Sequence, residues 1–127
     1  MAELVQNLGS FVPDNLIVDG SVPILTKAVK LGAGQGALKR GTVLGKITTG
    51  TTSGQYVVVN STNTDGSGNA DCILADDVDT ATSVVAVAYT SGHFNRKALV
   101  FGGSDTADTH EARLRELGIF LSDNVPY

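Results

Sequence analysis

Short apolar segments separated by glycine and small polar residues run through most of the chain, and that spacing predicts a β-rich domain. Runs of Val, Ile, Leu and Tyr predict strands over residues 24–31, 42–48, 55–60, 71–75, 82–90 and 94–101. The breaks carry turn chemistry: Gly32-Ala33-Gly34-Gln35-Gly36, the stretch between Gly50 and Gly54, a polar loop over 62–69, and Ser91-Gly92. In Val85-Ala86-Val87-Ala88-Tyr89 both alternating faces are apolar, which predicts a strand covered on both sides.

One segment has helical periodicity. Over 106–117, Ala107, His110, Leu114 and Leu117 fall along one stripe, while Glu111 and Arg115 stand four apart on an exposed face. Asp105 or Thr106 is placed to cap the start and Gly118 to end it in a left-handed turn. Ile119-Phe120-Leu121 then predicts a short closing strand.

The start of the chain has another character. Pro13, Asn15, Gly20 and Pro23 interrupt its apolar clusters, which argues against a helix or a central strand. The pattern divides the chain into an extended N-terminal arm, 1–23, and a β-rich domain, 24–127. Leu4, Val5, Leu8, Phe11, Val12, Leu16, Ile17 and Val18 make the arm too apolar for a solvated tail and too broken for a core of its own. Such a segment can order on a partner by adding a strand to an exposed sheet edge, so these are the candidate binding residues. Packing back onto its own domain is the alternative.

At 127 residues the chain suits one domain, able to build a core without cross-links. The single cysteine, Cys72, lies in an apolar run and is expected to be buried. Nine Lys and Arg against thirteen Asp and Glu give a net charge of −4, and no basic cluster exceeds a pair, so nucleic acid is not an expected partner. No apolar run approaches a membrane span, and the first residues lack the pattern of a signal peptide.

Motifs for chemistry fail on spacing. Gly50-Thr51-Thr52-Ser53-Gly54 has its serine one place late for a nucleophile elbow. Gly41-Thr42-Val43-Leu44-Gly45-Lys46-Ile47 is one residue short of a phosphate loop and ends in the wrong residue. The third glycine of Gly32-Ala33-Gly34-Gln35-Gly36 comes one residue early for a dinucleotide fingerprint. His93 and His110 have no zinc spacing and read as structural side chains. Asp65, Ser67, Asn69, Asp71 and Asp76 alternate like calcium ligands, yet Ala70 stands where a calcium loop needs glycine. Asp76, Asp77 and Asp79 read as a solvated turn or as polar contacts to a partner. The expectation is a chain with no catalytic residues, no cofactor and no metal, hence not an enzyme.

From about Lys27 onward the order of short motifs resembles the lambda-type phage head decoration family. The resemblance rests on Lys39-Arg40-Gly41-Thr42-Val43-Leu44-Gly45-Lys46-Ile47-Thr48 with Tyr56-Val57-Val58, on Ile73-Leu74-Ala75-Asp76-Asp77-Val78-Asp79, and on Gly92-His93-Phe94-Asn95 with Ala98-Leu99. It closes with Leu114-Arg115-Glu116-Leu117-Gly118-Ile119-Phe120-Leu121. What the resemblance implies is a mainly β domain with one short C-terminal helix, a compact β-tulip or β-clip-like fold. It further implies a homotrimer at three-fold positions on the outer surface of the expanded capsid, assembled in the host cytoplasm, with N-terminal arms on the major capsid protein. A small β-clip-like module binding a sugar acid through Lys39, Arg40, Arg96 and Lys97 is the alternative.

Overall fold

In chain order the elements are β1 (Ile17–Asp19), β2 (Leu25–Leu31), β3 (Ala37–Leu38), β4 (Val43–Lys46), β5 (Tyr56–Val58), β6 (Ala70–Leu74), β7 (Val78–Asp79) and β8 (Val84–Asn95). A 3₁₀ turn (Arg96–Ala98), helix α1 (Ala107–Leu117) and β9 (Ile119–Ser122) follow. They come from a computed structural model that describes residues 16–19, 22–82 and 84–122. The fold is mainly β with one short C-terminal helix, as the periodicity predicts.

Adjacent buried residues locate its centre. Val43 and Leu44 of β4 are fully buried, as are Cys72, Ile73 and Leu74 of β6. Neighbouring strand residues point to opposite faces, so β4 and β6 have a core on each side. The pairings explain why. β8 lies antiparallel to β2, and β2 meets β5 in parallel at Leu31 and Tyr56. β5 pairs with β4 and β4 with β6, and β6 returns to β8 through Ile73 opposite Tyr89 and Leu74 opposite Ala88. The sheet thus closes into a small barrel. Val29, Leu31, Leu44, Tyr56, Cys72, Leu74, Ala86 and Ala88 form the core inside it, since a barrel this small has room only for side chains.

The outward residues of β4 and β6 feed a second core. Val43, Ala70 and Ile73 meet Leu114 of α1, Ile119 and Leu121 of β9, Phe94 of β8 and Leu16. β8 reaches both cores because it does not stop at Ser91-Gly92, where the turn chemistry predicts a break. Gly92 has φ +148°, and a Cβ there would lie 2.9 Å from the Phe94 ring. Glycine here lets the strand run on past the aromatic side chain, to pair with β1 on one side and β9 on the other. Of the strand predicted over 94–101, Phe94 and Asn95 belong to β8. Asn95 then accepts the Lys97 N–H and starts the 3₁₀ turn, leaving Val100 with a single bridge to Thr42.

Two further predictions are corrected. Val85 and Val87 are 67% and 42% exposed, so β8 is covered on one face only over that stretch. Helix α1 and β9 cover the barrel beside β6, not beside β2. On α1, the stripe of Ala107, His110 and Leu114 is buried as predicted, but Glu111 does not serve Arg115. It binds the Arg96 guanidinium at 2.7 Å, while Arg115 lies over the Phe120 ring.

Residues 16–19, which the proline and glycine pattern assigns to the arm, take part in the domain. The Leu16 carbonyl accepts the Asn95 N–H at 2.7 Å, Ile17 pairs with Phe94, and the Leu16 side chain is 1% exposed within the second core. Leu16→Ala is expected to cost about 2–5 kcal/mol, the usual range for emptying a buried leucine site. Urea unfolding measures this directly; a variant as stable as the parent would show that residues 16–19 are dispensable to the fold.

Candidate functional site

A serine, an aspartate and a histidine meet at the start of α1. Asp105 accepts the Ser61 hydroxyl and the Ser61 backbone N–H, both at 2.7 Å, and its Oδ2 lies 2.7 Å from His110 Nε2. His110 and Asp105 side chains are 3% and 5% exposed, and the Phe101 ring stacks on the imidazole at 5.6 Å. In nucleophilic catalysis the imidazole stands between serine and carboxylate; here the carboxylate stands between, so the imidazole does not face the Ser61 hydroxyl. The arrangement ties the loop at Ser61 to the first turn of the helix. Thr106, one of the two residues placed to cap the helix, is its N-cap, and the Thr109 hydroxyl completes a capping box by accepting the Thr106 N–H at 3.1 Å. The sequence places His110 on a buried stripe, but its partners were out of sight, because Ser61 and Asp105 lie 44 residues apart.

Several other titratable groups are also engaged. Arg40 donates to the Ala75 carbonyl at 3.0 Å and to the Tyr89 hydroxyl, and its backbone N–H binds Asp77 at 2.8 Å. Arg96 holds Asp108 and Glu111. Two of the four cations that would serve a sugar acid are therefore committed to internal contacts. Asp65, first of the calcium-like series, accepts the Ser67 hydroxyl and N–H, and these bonds lower its pKa. Asp71 is held by Lys27 at 2.9 Å. Among the described residues no three His, Cys, Asp or Glu side chains gather as metal ligands do. Burial pushes the Cys72 thiol up to about 12, which leaves it a neutral core side chain. No helix among these residues is long and apolar enough to cross a membrane.

Two shallow clefts are formed by the described residues. One, of about 250 Å³, is lined by Lys46, Thr48, Gly66, Asn69, Asp71 and Arg113. Beside it, Lys27 donates to Asp71 and to the Tyr56 hydroxyl at 2.9 Å each. Burial opposes the Lys27 charge, but these hydrogen bonds outweigh it and raise its pKa. The other cleft, of about 230 Å³, is lined by Ala37, Leu38, Lys39, Asp77, Val78 and Asp79.

Of the candidate binding residues, Leu4, Val5, Leu8, Phe11 and Val12 lie outside the described residues. Leu16 is in the core, Ile17 is half-buried against it, and Val18 is half-buried. The apolar surface seen among the described residues is elsewhere: Ile24, Leu25, Val85, Val87 and Val100 are their exposed large hydrophobic residues. Val85 and Val87 stand opposite Lys30 and Ala28 of β2. A lysine at that register was the available signal that this face of the barrel is open.

A family model described as "Bacteriophage lambda head decoration protein D" matches residues 5–120 of the chain. No curated protein matches it.

Hydrogen bonds from Ser61, reinforced by His110, lower the Asp105 pKa despite its burial. A carboxylate depressed in the folded state contributes stability that is full above its unfolded pKa and is lost as pH falls through the folded value. Stability is therefore expected to drop below the ordinary carboxylate range, and Asp105→Asn to flatten that acid limb while lowering stability at neutral pH. Urea midpoints at pH 7, 5 and 3 for both proteins check it; parallel curves would remove Asp105 as the source.

Proposed function

Because the chain belongs to the bacteriophage lambda head decoration protein D family, we propose that it binds the exterior of the expanded phage head as a homotrimer at three-fold positions and stabilises the shell against packaged DNA. The match over residues 5–120 carries this reading, for it spans almost the whole domain together with most of the apolar segment ahead of Leu16. The family is a structural one of the phage capsid, and that agrees with a Ser–Asp–His set wired to hold a helix in place.

The mechanism is linkage. A protein that binds the expanded shell and not its precursor stabilises the expanded state by mass action, in proportion to the number of sites filled. The partner is the major capsid protein. Leu4, Val5, Leu8, Phe11 and Val12 supply the apolar contacts, adding a strand to an open edge of the shell so that backbone groups are satisfied as side chains are buried. The anchorage of Leu16 in the core gives that segment a fixed root. Three arms on one trimer bind with an effective concentration that no single arm commands. Net charge −4 suits the outside of the shell, where no DNA is contacted. Assembly in the host cytoplasm follows from binding a shell that expands there.

Co-sedimentation with undecorated, expanded capsids tests the proposal, with the full chain set beside one lacking residues 2–15, which spares the core. Saturation at three copies per three-fold position is expected, and the deletion should weaken binding by roughly a hundredfold or more, the scale lost when linked contacts are removed. A chain that binds no expanded capsid of its own phage is not a decoration protein.

A further inference from the structure

The cleft beneath Arg113 has cations to spare. It lies where the end of β4, the start of β6 and the loop around Gly66 meet α1. Lys46 is exposed, and its ammonium has no acceptor among the described residues. Arg113 spends Nε on the Ala70 carbonyl at 3.2 Å and otherwise has only a long 3.9 Å approach to Glu116. Asn69 is exposed, with no bond to its side-chain amide among the described residues. The one carboxylate in the lining, Asp71, is already taken by Lys27 at 2.9 Å. Lys46 and Arg113 against Asp71 leave the lining of the cleft one positive charge in excess, on a chain whose net charge is −4.

The complementary surface is on the same chain. Asp76, Asp77 and Asp79 are all exposed, and with Lys39 beside them they leave two negative charges in excess. The segment is held in shape: Asp77 accepts the Arg40 N–H, Asp79 accepts the Ala81 N–H, and Val78–Asp79 pairs with Ala37–Leu38. Asp76 has no bonded partner among the described residues. The two patches flank opposite ends of β6, whose five residues span about 13 Å at the usual strand rise, too far for one copy to join them.

We propose that the Lys46–Arg113 cleft receives the acidic segment 76–79 of a second copy, so that copies join head to tail. The inference rests on the trimeric reading above. A ring with an odd number of copies has no two-fold contacts; every interface must join two different patches of the same chain, and opposite charges at the two ends of one rigid strand meet that requirement. Ion pairs at an interface rim contribute little affinity on their own. Their role is to set orientation and register and to disfavour other arrangements, while apolar contact supplies the area.

Carbodiimide coupling on a mixture of unlabelled and ¹⁵N-labelled full-length chain, free and bound to expanded capsids, tests the contact. The reagent joins an amine to a carboxylate only where the two touch, and mass spectrometry is expected to find mixed-isotope peptides joining Lys46 to Asp76 or its neighbours. Lys46→Asp and Asp76→Lys, both at exposed positions, should each weaken self-association about tenfold, or about 1.4 kcal/mol. The double variant should restore it. A chain that trimerises and binds capsids without the cross-link, and with Lys46→Asp unaffected, overturns this contact and leaves decoration standing. A chain with no self-association in solution or on capsids overturns ring and contact together. Linked rings that bind no capsid keep the contact and overturn the decoration reading.

Discussion

The pairing of β6 with β8 is the constraint on which the rest depends. Ile73 opposite Tyr89 and Leu74 opposite Ala88 turn an open sheet into a barrel, and closure leaves neither strand with a free edge at that point. Once closed, the sheet has an inside too small for anything but side chains. Its outside must then be either covered or left to solvent and partners. β4 and β6 carry apolar residues outward and are covered; β2 and β8 carry Lys30, Ala28, Val85 and Val87 outward and are open.

The cover is itself held by polar contacts at its margins. Asp105 joins the loop at Ser61 to His110 on the helix, and Arg96 joins the 3₁₀ turn to Glu111 and Asp108. Gly45 shows how tightly the layers meet: a Cβ there would collide with the Ser67 and Asn69 carbonyls, so the loop over 61–69 lies directly on β4. That loop, read from sequence as a polar connector or weak calcium site, forms one wall of the basic cleft. Within it Asp65 accepts from Ser67, and Asn63 donates to the Ser67 hydroxyl, a structural use of residues whose spacing alone suggests ligands.

For a decoration protein this division of the surface matters. A closed, well-packed core makes the domain a stable platform for the surfaces it presents. The root of the N-terminal segment belongs to the core through Leu16 and β1, so tension on whatever precedes it would be borne by a strand paired to β8. The open face and the two charged patches lie on the same barrel and leave distinct surfaces for neighbours.

Fold class, the helix and its buried stripe, the closing strand and the burial of Cys72 were legible in the sequence, because periodicity and turn residues act locally. So was the family, through short motifs in serial order. The continuity of β8 was not, since Gly92 marks a turn in most settings and continues a strand here only because Phe94 crowds it. Nor was the exposure of Val85 and Val87: an alternating apolar run looks the same whether both faces are covered or one is open, and only the position of α1 decides. Leu16 belongs with the domain for a like reason, as its neighbours Val43, Ile73 and Phe94 are distant in sequence. Local pattern determined which segments form and which side chains seek burial; the tertiary structure alone decided which surfaces were left over, because that depends on which strands meet when the sheet closes.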